Sequence, residues 1–171
     1  MLDDLIAFKL RVVVCGFAAG AASAIERRYY ADPRNKFWRA VAEVGLTPRQ
    51  LSPAEYRELL KFGIGLTDLV KGQAGTDAEV RFEKSHREDL RALVMEYKPP
   101  WLCFNGKTAA KKFLGVSRLD YGIQSERIGC TGIFVAPSTS GAAGRYWDIA
   151  RWRELARHAS ALAPLPNACG G

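Results

Sequence analysis

Several kinds of chemistry are missing from this chain. It has two histidines, His86 and His158. Neither sits in a motif, and both read as surface residues rather than bases. The four cysteines, Cys15, Cys103, Cys130 and Cys169, match no zinc or redox spacing. Cys15 and Cys103 lie inside apolar, strand-like runs, where a thiol behaves as a small buried hydrophobe. No P-loop and no Gly-x-Gly-x-x-Gly fingerprint occurs, which removes the sequence support for a nucleotide-binding domain. No apolar run is long enough to span a bilayer. Asp3 and Asp4 stand where a secretory signal would begin with basic residues. The expectation is a cytoplasmic protein with no membrane partner. Internal repeats and low-complexity segments are absent as well.

What is present suits one domain with a real core: 171 residues, 48% of them hydrophobic. Lys and Arg number 25 against 18 Asp and Glu, a net charge of +7, and the pI is about 9.4. A basic domain without a membrane signal points either to nucleic acid or to a solvated basic surface. Charge alone leaves these two open.

The chain alternates strand and helix signals. The β-branched run in Arg11–Cys15 reads as a strand buried on both faces. Pro33–Val44 reads as a helix with Phe37, Ala40, Val41 and Val44 on one face. Ser52-Pro-Ala-Glu55 supplies a capping box and an early proline, opening a helix to about Lys61. Gly63–Val70 is a short extended or turn segment, and Gly72–Glu79 reads as a loop. A helix over Ser85–Tyr97 closes at Pro99-Pro100. Trp101–Asn105 is a strand, Lys107–Leu114 a helix and Ile133–Ala136 a strand. Asp148–Leu162 is the last helix, with Arg151, Arg153 and Arg157 on a face that is solvated by default. This alternation predicts a three-layer α/β/α sandwich with a mostly parallel central sheet.

Two of the strands run into turns of small residues, Gly16-Phe-Ala-Ala-Gly20 and Pro137-Ser-Thr-Ser-Gly-Ala-Ala-Gly-Arg145. Small residues let backbone N–H groups approach a ligand, and open α/β sheets bind ligands at the carboxyl ends of their strands. Both turns are therefore expected at one site.

Five segments occur in a telling order: Gly16–Gly20, Tyr29-Tyr-Ala-Asp-Pro-Arg-Asn-Lys-Phe-Trp38, Gly65-Leu-Thr-Asp-Leu-Val70, Asn105-Gly-Lys107 and Pro137–Gly141. As an ordered set they resemble the uracil-DNA glycosylase superfamily, most closely its mismatch-specific uracil/thymine branch. The likeness runs over roughly residues 5–160. It implies one glycosylase-like domain over residues 1–163, and the terminal stretch 164–171 reads as a disordered tail. It implies an enzyme that flips uracil out of DNA and hydrolyses its N-glycosidic bond, with no metal and no other cofactor. The partner would be DNA carrying uracil or an abasic site, bound by a monomer associated with the nucleoid. A protein that binds such sites with little or no catalysis is the alternative.

The resemblance also distributes roles. In the family the first motif reads Gly-x-Asn-Pro-Gly, and its Asn orients the attacking water. Ala18 and Ala19 stand at the Asn and Pro positions here, and alanine cannot hold a water. The backbone N–H of Phe17 remains able to bind a base carbonyl. Tyr30 falls where the family stacks an aromatic on the flipped base, with packing over the first strand as the other reading. Ser23 matches a pocket position. Asp68 is the candidate for the missing catalytic group, because a carboxylate stabilises positive charge on the sugar and polarises water. Its other reading is a helix cap. Asn105 offers a donor and an acceptor for the base edge, or simply turns the chain before Gly106. Lys107 is read as a phosphate contact. Ser138, Ser140, Gly141 and Arg145 are assigned to the loop that meets DNA. Arg145 is the large side chain of a loop otherwise made small by Ala142-Ala143-Gly144.

Overall fold

The computed structural model describes residues 2–160; the expected domain end at 163 and the tail over 164–171 lie outside them. Five strands form one mixed sheet: β1 (Val12–Gly16), β2 (Ile64–Asp68), β3 (Trp101–Asn105), β4 (Gly122–Ile128) and β5 (Thr131–Ala136). Their order is β2-β1-β3-β5-β4. The first four in that order run parallel, and β4 returns antiparallel to β5. Helices α1 (Ala21–Glu26) and α2 (Phe37–Glu43) and a 3₁₀ helix (Pro53–Phe62) lie between β1 and β2. Helix α3 (Lys84–Tyr97) leads to β3, α4 (Lys107–Leu114) follows it, and a 3₁₀ turn (Gly141–Tyr146) and α5 (Ile149–Ser160) follow β5.

The period-two geometry of a strand sorts the core into two layers. Val12 and Val14, Trp101 and Cys103, and Phe134 and Ala136 face α2, the longer 3₁₀ helix and α5. Val13 and Cys15, Leu102 and Phe104, and Ile133 and Val135 face α3 and α4. Helices therefore cover both faces, as near-continuous apolar strands require.

Strand β3 and helix α4 match their expected limits to the residue. The helix expected from Pro33 starts at Phe37 instead. The Asp32 side chain accepts from Arg34 N at 2.9 Å, and Asn35 Oδ1 accepts from Phe37 N at 3.0 Å. These local bonds hold residues 32–36 in a turn. The capping box at Ser52 and Glu55 forms as expected, but the helix it opens is 3₁₀. Gly63–Val70, read only as extended or turn, contains the fully buried strand β2.

The free edge of β2 is covered by the N-terminal segment. Leu5 N donates to Leu66 O at 2.9 Å, and Leu66 N donates to Leu5 O at 2.8 Å. Gly65 permits this approach, because a Cβ there would lie 2.9 Å from Leu5 O.

Helix α5 anchors the start of the last loop through a buried bond, Trp152 Nε1 to Pro137 O at 3.0 Å. Trp152 is fully buried. Trp152→Phe should lower stability by about 1–3 kcal/mol, since it leaves a buried carbonyl without that donor. Urea unfolding followed by circular dichroism measures this, and no change in midpoint would show the bond to be dispensable.

Candidate active site

The parallel strands end together, so Gly16, Asp68, Asn105 and Ala136 lie along one edge of the sheet. Gly16 and Asp68 are register partners. A Cβ on Gly16 would lie 2.5 Å from Asp68 Oδ1, so a residue without a side chain is what lets the carboxylate lie over the end of β1. Asp68 is 9% exposed. Burial, and then the negative charge of Asp4, push its pKa up to about 7, while Lys71 pulls the other way. Asp4 reaches this place on the segment that covers β2. Its Oδ1 accepts from Thr67 Oγ1 at 2.6 Å, and its Oδ2 forms an ion pair with Lys71. Asp4, Asp68 and Lys71, with Ala19, Ala24 and Val70, line a cavity of about 140 Å³. An engineered cavity of about 150 Å³ accepts benzene, so this space is on the scale of one six-membered ring.

Tyr30 leans over the same point. Its hydroxyl would be 3.9 Å from a Gly16 Cβ, and it is buried beside the Asn105 side chain. The ring stacks on Phe37, with centroids 4.1 Å apart and planes 25° from parallel. The residue is left-handed, with φ at 52°, a conformation that costs about 1–2 kcal/mol for a side-chain-bearing residue. Trp38 Nε1 donates to Tyr30 O at 3.1 Å, and Ser23 Oγ accepts from Ala31 N at 3.2 Å. Ser23 thus ties α1 to the residue next to Tyr30.

Asn105 clamps the last loop to β3. Its Nδ2 donates to Thr139 Oγ1 at 2.9 Å, and its Oδ1 accepts from Thr139 N at 3.0 Å. One proton and one lone pair of the amide remain for another partner. Thr139 O in turn accepts from Lys36 N at 2.8 Å. Ser138 Oγ accepts from Ser140 N at 3.2 Å, and Ser140 Oγ accepts from Ala142 N at 3.3 Å. These hydroxyls build the loop rather than standing free. Gly141 packs against the neighbouring turn, where a Cβ would meet Arg34 Cβ at 2.8 Å. Arg145 is exposed, and Tyr146 beside it is 63% exposed.

Two expected positions serve other ends as well. The Phe17 side chain is buried in the core layer beneath α3 and α4, and its carbonyl accepts from Val70 N at 2.8 Å. The Lys107 ammonium sits over the Tyr121 ring, 4.3 Å from its centroid. Sequence reasoning missed Asp4, Lys71, Thr139 and Tyr146. Asp4 carries no local signal, because its role depends on pairing between Leu5 and Leu66. Tyr146 was legible as a large aromatic just beyond a run of small residues. Among the described residues no group of three or more His, Cys, Asp or Glu is close enough to hold a metal ion. Among them, too, no helix is long and apolar enough to cross a membrane.

The family profile of the uracil DNA glycosylase superfamily matches residues 4–157. Among solved structures, the chain is similar to a solution NMR structure from Methanosarcina acetivorans, provisionally described as a uracil DNA glycosylase. The two share 22% identity over 92% of this chain and 96% of the other, with a TM-score of 0.64. At that identity the likeness carries the fold.

The Asp68 environment makes a stability prediction independent of any reaction. Its carboxyl has a pKa of 3.8 ordinarily and about 7 in the fold. The folded state therefore favours the neutral acid, and stability present below pH 4 is lost as pH rises through 7. Asp68→Asn removes that loss. The variant should match the parent near pH 4 and be more stable at pH 8, by up to about 4 kcal/mol from the gap between the two pKa values. Thermal midpoints of both proteins across this range measure it, and parallel curves would refute it.

Proposed function

We propose, for a chain that belongs to the uracil DNA glycosylase superfamily, that it removes uracil from DNA by hydrolysing the N-glycosidic bond. The uracil nucleotide leaves the stack, which is easiest at a U·G mismatch or in a single strand. The protein acts as a monomer and leaves an abasic site. The observation that carries this reading is the buried Asp68 carboxylate beside a ring-sized cavity at the carboxyl edge of the sheet. A carboxylate there, ionised above pH 7, stabilises the positive charge that develops on the sugar and takes a proton from the attacking water. It fills the place left open by Ala18. The Phe17 N–H and the remaining donor and acceptor of Asn105 read the base edge. The Tyr30 ring, with Phe37 behind it, is the stacking surface. Arg145, Tyr146 and the Ser138–Gly141 loop face the DNA, and Lys107 adds positive charge at the start of α4.

One feature supports a second reading. Ala18 removes the side chain that orients water in the family's first motif, which favours a protein that binds uracil or abasic sites without cleaving. An oligonucleotide with one uracil, treated with alkali after incubation, separates the two. Strand scission supports excision, and binding without scission supports the alternative.

The excision rate should rise about tenfold per pH unit below 7 and level off above it, because the ionised form of Asp68 is the active one. Asp68→Asn should slow the single-turnover step at least tenfold on a saturating uracil duplex, the equivalent of about 1.4 kcal/mol of barrier, while DNA affinity holds. A rate within about twofold of the parent would reduce Asp68 to a structural end of β2.

A further inference from the structure

We propose that the Lys71 ammonium takes up the negative charge that collects on the departing base, which makes Lys71 a second catalytic residue beside Asp68. The proposal rests on the glycosylase reading, with the base in the ring-sized cavity. Breaking the C1′–N1 bond separates charge: the sugar becomes positive and the base negative. The cavity wall carries a group for each pole. Asp68 supplies the anion and Lys71 the cation. A donor that meets charge developing only as the bond breaks lowers the barrier, rather than merely tightening binding.

The fold holds Lys71 in that wall. Beyond β2 the chain stays pinned to the loop that follows β1. Leu69 N donates to Gly16 O at 2.9 Å, and Val70 N donates to Phe17 O at 2.8 Å. Past Lys71, Gly75 N donates to Ala19 O at 3.0 Å. Lys71 therefore stands between two backbone anchors on the loop Gly16–Gly20. Asp4 fixes the ammonium, and Thr67 holds Asp4 by its other oxygen. One ammonium proton serves that ion pair, and two remain for a carbonyl oxygen of the base. The other walls offer less. Ala19, Ala24 and Val70 are apolar. Gln73 also lines the cavity, but both ends of its amide are bonded to the Arg81 backbone, at 2.9 Å and 2.8 Å. Among the described residues that line the cavity, Lys71 is the cation.

Atoms and charge balance in the step. Water attacks C1′, and its proton passes to Asp68. The C1′–N1 bond breaks, and its electron pair leaves with the base, whose ring spreads the charge onto its carbonyl oxygens. Lys71 donates hydrogen bonds to such an oxygen and keeps its own protons. The base anion then takes the proton that Asp68 accepted, which restores the carboxylate. The charges that face Asp68 are those of Asp4 and Lys71. Lys71 pulls the Asp68 titration down, so its loss also moves that titration up. A rate compared only near neutral pH would mix this effect with the proposed one.

The test compares Lys71→Met with the parent in single-turnover excision from a saturating duplex that carries either uracil or 5-fluorouracil, from pH 6 to 9. Fluorine withdraws electrons, so the 5-fluorouracil anion needs less help from the protein. On the alkaline plateau, with Asp68 ionised in both proteins, the variant should be at least about tenfold slower on uracil. Its loss on 5-fluorouracil should be smaller by about threefold or more. A merely structural role for Lys71 would slow both bases alike. Equal losses on the two bases, or a uracil loss below about threefold, would overturn the proposal. So would a loss confined to low pH that vanishes on the plateau, since Lys71 would then act only through the Asp68 titration. Asp4→Asn with Lys71→Met removes both charges of the pair and leaves neither buried alone. If circular dichroism shows Lys71→Met unfolded, the double variant is measured and read in the same way. A parent that excises both bases while the variant loses equally on each overturns the Lys71 role alone. A parent that excises neither base overturns the glycosylase reading, and the Lys71 role with it.

Discussion

A carboxylate lying over a glycine is the contact on which the rest of this site depends. Asp68 can sit at the end of β2 only because its register partner is Gly16, and that register comes from the parallel pairing of two buried strands. Moving β2 by one residue would turn the carboxylate to the opposite face of the sheet. The fully buried residues of both strands forbid such a slip. The hydrophobic core thus acts on Asp68 directly, by holding a carboxyl where solvation is poor. The same poor solvation raises the proton affinity of Asp68 into the neutral range. An ionised Asp68 costs the fold stability, and the ionised form is the one the proposed reaction uses, a common pattern at functional sites.

Around that contact, the polar side chains build the site. Asn105, Ser138, Ser140 and Ser23 are engaged with backbone or hydroxyl partners. They fix the shapes of two loops, one after β5 and one before α2, and Lys36 N joins these loops through Thr139 O. The Tyr30 hydroxyl is buried between the Asn105 side chain and the charge of Asp68.

Most of the architecture was legible because the apolar strands and the amphipathic helices carry strong local patterns. β3 and α4 needed nothing more than the run Trp101–Asn105 and the lysine-flanked helix after it. β4 went unread for a physical reason. It is an edge strand, and between Gly122 and Ile128 its residues are exposed or half-buried, with an irregular register at its middle. Charges such as Glu126 and Arg127 suit an unpaired edge but erase the hydrophobic signal. β2 was half-read because Gly65 and Thr67 interrupt its apolar run. Within the site, Asp68 was singled out through the likeness of Gly65–Val70 to a family segment. Its neighbour Asp4, 64 positions earlier in the chain, had no signal that a linear reading can carry. The side-chain engagement of Asn105 with Thr139 was likewise invisible, because it depends on two strand ends meeting.

The covering of β2 by the N-terminal segment has a consequence for how this site can change over time. Asp4 is attached to the sheet by one antiparallel bridge and two polar contacts, outside every strand and helix of the core. Substitutions in that segment alter the electrostatic potential felt by Asp68 without disturbing the sandwich. The acidity of Asp68 is therefore adjusted from a peripheral, exchangeable strip of chain, while burial in the interior supplies the larger part of its shift and fixes its position. A lineage moving to a more acidic or more alkaline interior milieu can retune the one and keep the other.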